Sequence, residues 1–524
     1  MNSAFYFTST LTVPVVLIAL NILWVYLFAI LLRNYYRTPS IDRCRNKVHS
    51  TCCKLSQTND KVQHDDVNMP HVSIIIPARN EQNHITRCLT SLLGQNYTKL
   101  EIIAVNDNSS DNTLKIMQEI QSGLTNEDKK PLSQQQYEQW QENPEFPYLN
   151  SNNILSTNSN ILTSVQKGKI SDGTVTISSK KDDFKSINYG RSDKKSFNRL
   201  KIVSLIKDRP LGWTGKTWAS QQGYLCSKGD ILIFTDADTL YMNSDTISSS
   251  ISYFEKENLD VLTGFPFIEL RDFWSKIVNP VWKLIGTLFG YNITDINNPK
   301  SDAASLMGCF IVIKRKTFEN IGTYKMIRSN IREDEALGIR AKQMGYKIRG
   351  LRMDKSLSAL WSSDLQTLWN GIARTIMPAL LNMNGKKRRR RVIYDLLTIF
   401  FMAVLPFVML PYSLAIMKLP DSMLDNYIID SFYSTNSIRD QARLIYQIHF
   451  TTLLLNLSAC IGLFVGSTVN AIRVFKISPI YAIMSPVGAV FLLVAYISSI
   501  LPLIIHPKKL KPLIWRDRKY LPDQ

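Results

Sequence analysis

Among its six histidines the chain has no His-x-x-His or His-Glu-x-x-His spacing, and it has no Gly-x-Ser-x-Gly elbow. A zinc hydrolase and a serine hydrolase are both excluded on that ground. The seven cysteines (44, 52, 53, 88, 226, 309, 460) show no metal-ligand spacing, and the adjacent Cys52-Cys53 pair is too cramped for an ordinary disulfide. A reduced compartment fits that usage. No internal repeat is visible. Gly212-Trp213-Thr214-Gly215-Lys216 is rich in glycine but lacks Walker A spacing, so an ATPase reading is poor.

Charge is missing from one class of segment altogether. Leu11–Leu32 carries none, and Leu396–Met417, Ile445–Val469 and Ile480–Ile505 are apolar throughout, with His449 the nearest thing to an ionisable interruption. Each is long enough to cross a hydrocarbon core of ~30 Å. Four such runs in one chain predict a multi-pass protein of the cell membrane. The first run has no basic segment before it and no small-residue cleavage site after it, so it reads as a retained anchor over 11–32. Arg33, Arg37, Arg43, Arg45 and Lys47 follow it, and Lys386 to Arg391 precede the second run. By the positive-inside rule the soluble region between them is cytosolic.

The net charge of +19 raises the question of nucleic acid. Much of the excess borders the apolar runs, including Lys508, Lys509, Lys511, Arg516, Arg518 and Lys519. Attraction to anionic lipid headgroups, about 1 kcal/mol per basic residue, accounts for it, and no nucleic-acid partner is expected. Three spans after the soluble region would place this basic tail outside, against the same rule. Pro479, Pro486 and Pro502 allow a re-entrant or broken last helix, and on that basis the tail over 506–524 is expected in the cytosol.

Between the anchors the pattern is strand, loop, helix. Residues 38–70 read as a linker. Val72–Ile76, Leu100–Val105, Leu200–Ile206, Ile231–Thr235 and Val261–Phe265 are short apolar runs of the kind that form buried parallel strands. Ile85–Leu93 and Leu114–Ile120 carry helical periodicity. The alternation predicts an α/β domain with a mostly parallel central sheet over 71–385. Residues 124–198 are Asn, Ser, Gln and Lys with few aliphatics, too little apolar surface to offset ordering, and read as a disordered insertion. Phe273–Phe289 is apolar at helical spacing, with Lys276, Lys283, Trp274 and Trp282, and is expected to lie in the membrane surface or against the soluble domain. The region 393–505 is the C-terminal membrane part, with about three spans.

Three acidic motifs punctuate the soluble region: Asn106-Asp107, Asp236-Ala237-Asp238 and Glu333-Asp334. The first two directly follow apolar runs, which places their carboxylates where open α/β sheets bind ligands. Two Asp flanking one small residue can present oxygens to a hard divalent cation. Alternatives stay open for each: a solvated turn for Asp236 and Asp238, a helix cap for the loop around Asp107, and a favourable macrodipole contact for Glu333-Asp334-Glu335, which precede a helix expected over Ala336–Lys347. One carboxylate of that triplet could serve as a general base.

Taken in order, Val72-Ser-Ile-Ile-Ile-Pro-Ala-Arg-Asn-Glu81, Ile103-Ala-Val-Asn-Asp-Asn-Ser-Ser-Asp111, Asp236-Ala-Asp238 and Glu333-Asp334 resemble the family-2 inverting glycosyltransferases of GT-A fold. Pro210 to Lys216 and Trp515 to Tyr520 look like its membrane-bound branch that includes hopanoid- and carotenoid-associated enzymes. The resemblance implies a nucleotide diphosphate sugar as donor and a membrane lipid or lipid-linked acceptor. It implies that Pro77, Glu81 and Asp107 contact the nucleotide sugar, that Asp236 contacts the nucleotide or a nearby water, that Asp238 holds a divalent cation (Mg2+ or Mn2+), and that Asp334 is the catalytic base; Lys216, from its Gly-rich loop, is expected near the pyrophosphate of the nucleotide sugar. Processive synthases of the family carry Gln-x-x-Arg-Trp; Gln366-Thr-Leu-Trp369 lacks the Arg, which favours transfer of one or few sugars over polymerisation. The rival readings are a processive polysaccharide synthase and a non-catalytic membrane scaffold with a degenerate transferase domain.

Overall fold

A computed structural model describes residues 2–41, 69–122, 199–205, 208–288, 293–381, 385–417, 436–505, 513–515 and 518–520. The expected insertion over 124–198, most of the linker and most of the basic tail lie outside the described residues. The soluble region is built on an eight-stranded sheet of order β3-β2-β1-β4-β7-β6-β8-β5. Its strands are β1 (Val72–Ala78), β2 (Leu100–Asn106), β3 (Leu200–Ser204), β4 (Ile231–Phe234), β5 (Thr239–Tyr241), β6 (Val261–Leu270), β7 (Ile311–Lys314) and β8 (Ile348–Ser362).

Strands β1 to β4 run parallel, as the buried apolar runs require. β7 is antiparallel to both β4 and β6, β6 is parallel to β8, and β5 is antiparallel to β8. All but β5 and β7 therefore point the same way, and those two reversals make the sheet mixed. β1 and β2 are almost wholly buried because helices cover both faces. Pro77 sits inside the central strand β1, where a missing N–H would ordinarily break the ladder. Ile75 directs its carbonyl to β4, accepting the Thr235 N–H, so Pro77, two residues on, faces the same side. β4 has already ended there, since its last partner on β1 is Ile75, and no donor is needed.

The helices that position the site are α1 (Asn2–Arg37), α2 (Ile85–Leu93), α3 (Thr113–Gln121), α4 (Gly215–Leu225), α5 (Thr246–Lys256), α6 (Phe273–Leu288), α7 (Glu333–Gln343) and α8 (Leu365–Leu381). α9 (Gly385–Ile399) continues through a π-helical turn at Phe400–Val404 into α10 (Leu405–Met417), and α11 (Asn436–Val469) and α12 (Ser485–Ile505) complete the chain's long helices. Four stretches, Val13–Leu31, Lys386–Ala415, Tyr446–Val474 and Pro479–Pro502, are helical, long and apolar enough to cross a membrane. They correspond to the four uncharged runs.

The apolar interior falls into separate bodies. Ile74, Ile76, Leu89, Ile102 and Phe310 belong to the sheet core. Leu20, Trp24, Ile277, Val281, Leu463 and Leu492 belong to the helical bundle. Helix α6 therefore buries its apolar stripe among the candidate spans. The sheet core is not its partner, which corrects the alternative of a helix packed on the soluble domain. Gly488 of α12 makes this close approach: a Cβ there would come within 2.4 Å of the Ile277 carbonyl oxygen of α6. Polar side chains join the spans, as expected where a lone polar group in lipid has no water to bond. Asn21 of α1 donates to the Leu455 carbonyl of α11 at 3.0 Å and accepts from Ser458 at 2.6 Å. Asp395 of α9 accepts from Tyr496 of α12 at 2.6 Å and pairs with Arg391 at 2.8 Å. The expectation that the last run is broken or re-entrant fails. Pro479 opens a 3-10 turn, Pro486 lies in the first turn of α12, where a proline's missing N–H costs nothing, and α12 continues unbroken past Pro502 to Ile505.

Candidate active site

The C-terminal ends of β1, β2 and β4 lie along one sheet edge, and each carries an expected motif. The loops after β1 and β2 are laced together. Asn80 and Asn108 both adopt left-handed backbone (φ 52 and 50), which Asn tolerates better than most residues. The Asn80 amide donates to Ser109 Oγ, the Ser110 amide to Asn80 Oδ1 and the Gln82 amide to Asp111 Oδ2. Arg79 Nη1 donates to the Asp107 carbonyl at 2.8 Å. Glu81 and Asp107 are buried in these loops, and the Glu81 amide donates to Thr113 Oγ1 at 2.8 Å. Pro77, Glu81 and Asp107 thus stand side by side along the edge.

The centre of the site is Lys216. Thr214 caps α4, its hydroxyl accepting the Thr217 amide at 3.1 Å, so Lys216 falls in the helix's first turn. A cation there opposes the macrodipole, and other charges must hold it. They do: Lys216 Nζ lies 2.6 Å from Asp236 Oδ1 and 2.8 Å from Glu333 Oε1. One ammonium therefore ties the motif after β4 to the motif at the start of α7. Burial works against the charge on Lys216, but Asp236, Glu333 and Asp334 outweigh it and raise its pKa well above the ordinary value. Burial, opposed by Lys216 and reinforced by Asp334, raises that of Glu333.

Glu333, Asp334 and Glu335 form the first turn of α7, one turn earlier than the expected helix start. Their charges suit that end of a helix, yet each has a different position. Glu333 is buried against Lys216, and Glu335 pairs with Arg332 at 2.9 Å. Asp334 is half-buried, accepting the Gly308 amide on Oδ2 at 3.1 Å and the Glu335 amide on Oδ1 at 2.8 Å.

Asp236 and Asp238 are half-buried, flanking the buried Ala237. Two buried thiols report the shared field. Burial first, then Asp238, Asp236 and Glu81, pushes the Cys88 thiol up, and burial with Asp236, Asp238 and Asp334 does the same to Cys309. The structure thus brings Lys216, Asp236 and Asp334 around one point, with Asp238 two residues along the chain from Asp236. Glu333 and Gly308 join them; the sequence left Glu333 between a helix-end contact and a catalytic carboxylate, and gave no sign of Gly308. A lone glycine ahead of a strand carries no chemical signal, and only its neighbours in space reveal it.

Among the described residues, no group of three His, Cys, Asp or Glu is placed to hold a metal ion unaided. The donor set nonetheless fits a hard cation bound jointly with a phosphate, since Mg2+ ordinarily takes one or two carboxylates together with substrate phosphates.

Residues 73–136 and 200–322 match the family described as Glycosyl transferase family 2. YdaM of Bacillus subtilis, named a probable glycosyltransferase, is 23% identical over 355 residues, covering 64% of this chain and 62% of that protein. The hyaluronan synthase of Pasteurella multocida is 39% identical over 82 residues, 16% of this chain, and the match spans only 8% of that protein's length. Among solved structures, the mannosyltransferase PcManGT from Pyrobaculum calidifontis, in complex with GDP-Man and Mn2+, is 14% identical, with coverage of 85% of this chain and 99% of that one at a TM-score of 0.36.

Proposed function

We propose, from the premise that this chain carries a glycosyltransferase family 2 domain, that it moves a sugar from a nucleotide diphosphate donor to a lipid or lipid-linked acceptor at the cytosolic membrane surface, with inversion. One observation carries the reading. β6 and β8 point the same way as β1 and β4 and stay paired with each other beyond β7, from Gly264 to Leu270, with β5 on the far side of β8. They lead straight into α6 and α8, whose apolar faces sit in the helical bundle. The acidic crevice and the candidate membrane helices therefore share one edge of the sheet, which supports an acceptor presented to Asp334 from the bilayer surface.

In this reading Pro77, Glu81 and Asp107 line the nucleotide end of the crevice, and Lys216 supplies positive charge near the diphosphate. Asp334 takes the proton of the acceptor hydroxyl as its oxygen attacks the anomeric carbon, and the nucleotide diphosphate departs from the opposite face. Asp238, with Asp236 beside it, would hold a divalent cation, which supplies Lewis-acid stabilisation of charge on the leaving diphosphate. The half-buried position of Asp334 suits contact with an acceptor, whereas Glu333 is enclosed. The likeness of 210–216 to the hopanoid- and carotenoid-associated branch supports a neutral lipid alcohol as acceptor.

The test uses the full chain in detergent with a panel of UDP- and GDP-hexoses and a membrane lipid extract, reading nucleotide release and labelled lipid product. Metal-dependent appearance of a monoglycosylated lipid is expected, with Asp238→Asn abolishing it. A high-molecular-weight polymer would favour a processive synthase, release of no nucleotide would indicate a scaffold, and full activity in excess EDTA would sink the metal assignment.

A further inference from the structure

Gly308 stands in the turn entering β7, and that turn is pinned on both sides. The Met307 amide donates to Thr263 Oγ1 at 2.8 Å, and Thr235 Oγ1 donates to the Cys309 carbonyl at 2.7 Å. The residue is not a glycine for conformational reasons: Gly212, Gly322 and Gly345 have positive φ, and Gly308 does not. What it supplies is space. A Cβ at this position would sit 2.7 Å from Lys216 Nζ, 3.4 Å from Asp334 Oδ2 and 3.6 Å from Glu333 Oε1. The first distance is shorter than atoms tolerate, and the atom that must yield is the end of a long flexible side chain, not backbone.

We propose that Gly308 is a positioning residue of the active site. Its missing side chain leaves the volume through which Lys216 reaches Asp236 and Glu333, and its N–H fixes Oδ2 of Asp334. The ammonium that joins the two acidic motifs and the carboxylate that faces the acceptor are thus set by one backbone position. A methyl group there shifts the ammonium off its two carboxylates while the fold, which has only to move a lysine tip, stays intact. This inference rests on the transferase reading for its effect on turnover, and on geometry alone for its effect on Lys216.

The experiment takes the full chain in detergent and compares wild type, Gly308→Ala, Lys216→Met and the double variant. In Gly308→Ala, turnover measured as nucleotide diphosphate released from the UDP- and GDP-hexose panel is expected to fall about 100-fold, the usual scale for misplacing a catalytic group by an ångström. The thermal midpoint should fall no further than in Lys216→Met, since each change leaves the buried Glu333 without its ammonium. Affinity for UDP or GDP should weaken in Gly308→Ala but not further when the change is added to Lys216→Met, because the atom it displaces is gone. Acylation of Lys216 by an amine-reactive ester, followed by mass spectrometry, should quicken at least tenfold in Gly308→Ala, a readout that needs no substrate. Unchanged acylation, additive losses in the double variant, or a thermal midpoint below that of Lys216→Met would each overturn the proposal. A wild-type protein that releases no nucleotide from any donor would instead overturn the transferase reading, leaving the acylation result to decide the geometry.

Discussion

Glu333 and Asp334 are neighbours in sequence with the same charge, and the first turn of α7 separates their chemistry. Glu333 turns inward to Lys216, whereas Asp334 is held by two backbone amides and keeps a partly open face. Asp334→Asn should therefore lower turnover by ~10²–10⁴, the ordinary contribution of a positioned base, with nucleotide-sugar affinity near wild type. A mutant that retains most of its turnover would remove Asp334 as base and point to an acceptor that is already ionised. Glu269 gives a second residue-scale test, of stability. It is buried at the end of β6, which by itself raises a carboxyl pKa, but Arg87 and Arg271 with the Ser358 hydroxyl outweigh burial and hold it at about 2, against an ordinary 4.5. The folded-state value is the lower one, so the stabilisation is present above pH ~4.5 and is lost as the pH falls toward about 2. Its size is on the order of 3 kcal/mol at neutral pH. Thermal midpoints measured across that window should drop in the wild type and change less in Glu269→Gln; parallel curves would show that Glu269 is not the group responsible.

The elements that were legible in the sequence are those whose surroundings are uniform. β1 and β2 are buried by neighbours on every side and α2 along one face, so a continuous apolar run, or one at helical spacing ended by Gly94, sufficed to place them. β8 was not legible, because its fifteen residues pass from the sheet core to the membrane helices and carry Arg349, Arg352, Asp354 and Lys355 on the way. β5 and β7 are short, and their reversed direction depends on partners far away in the chain. The acidic motifs were readable because carboxylates at strand ends are chemically conspicuous, whereas the contacts of Lys216 depend on a helix cap and on a turn that no local pattern announces. Helix α7 supplies the prediction at this scale. Gly338 packs so closely that a Cβ would meet the Ala304 carbonyl oxygen at 1.8 Å, and backbone, unlike the lysine tip at Gly308, cannot step aside. Gly338→Ala should cost at least the 1–3 kcal/mol typical of overpacking and lower the thermal midpoint. A variant as stable as wild type would show that α7 is free to shift, and with it Glu333 and Asp334.

Direction of the long helices fixes the arrangement of the whole molecule. The end of α1 docks on the soluble region, where Arg352 of β8 donates its amide to the Pro39 carbonyl at 2.9 Å. α11 runs alongside α1 in the same sense: Asn21 meets Leu455 and Ser458, and a Cβ on Gly462 would touch Trp24. The turn after α11 accordingly returns to the soluble region, with Lys476 over the Phe267 ring at 5.1 Å. α12 starts from that turn, and the Tyr496–Asp395 bond shows it leaving beside α9, which starts from the same side. The twenty-one residues of α12 reach ~31 Å at 1.5 Å each, enough to cross the hydrocarbon layer. α12 thus ends on the side of the helical bundle opposite the sheet, and with three candidate spans after the soluble region the tail is predicted on that side, in place of the cytosolic tail expected from the sequence. Basic residues on the far side go against the positive-inside rule, but that rule is dominated by the first span and by Lys386 to Arg391, and a cytosolic sheet would satisfy both. In intact cells an impermeant thiol reagent should therefore label a cysteine appended after Gln524 and one at Ser3→Cys, while Ile480→Cys, exposed beside the turn that faces the sheet, reacts only after permeabilisation. Labelling of Ile480→Cys in intact cells would put the acidic crevice outside, away from cytosolic nucleotide sugars, and with it would fall the donor class proposed here.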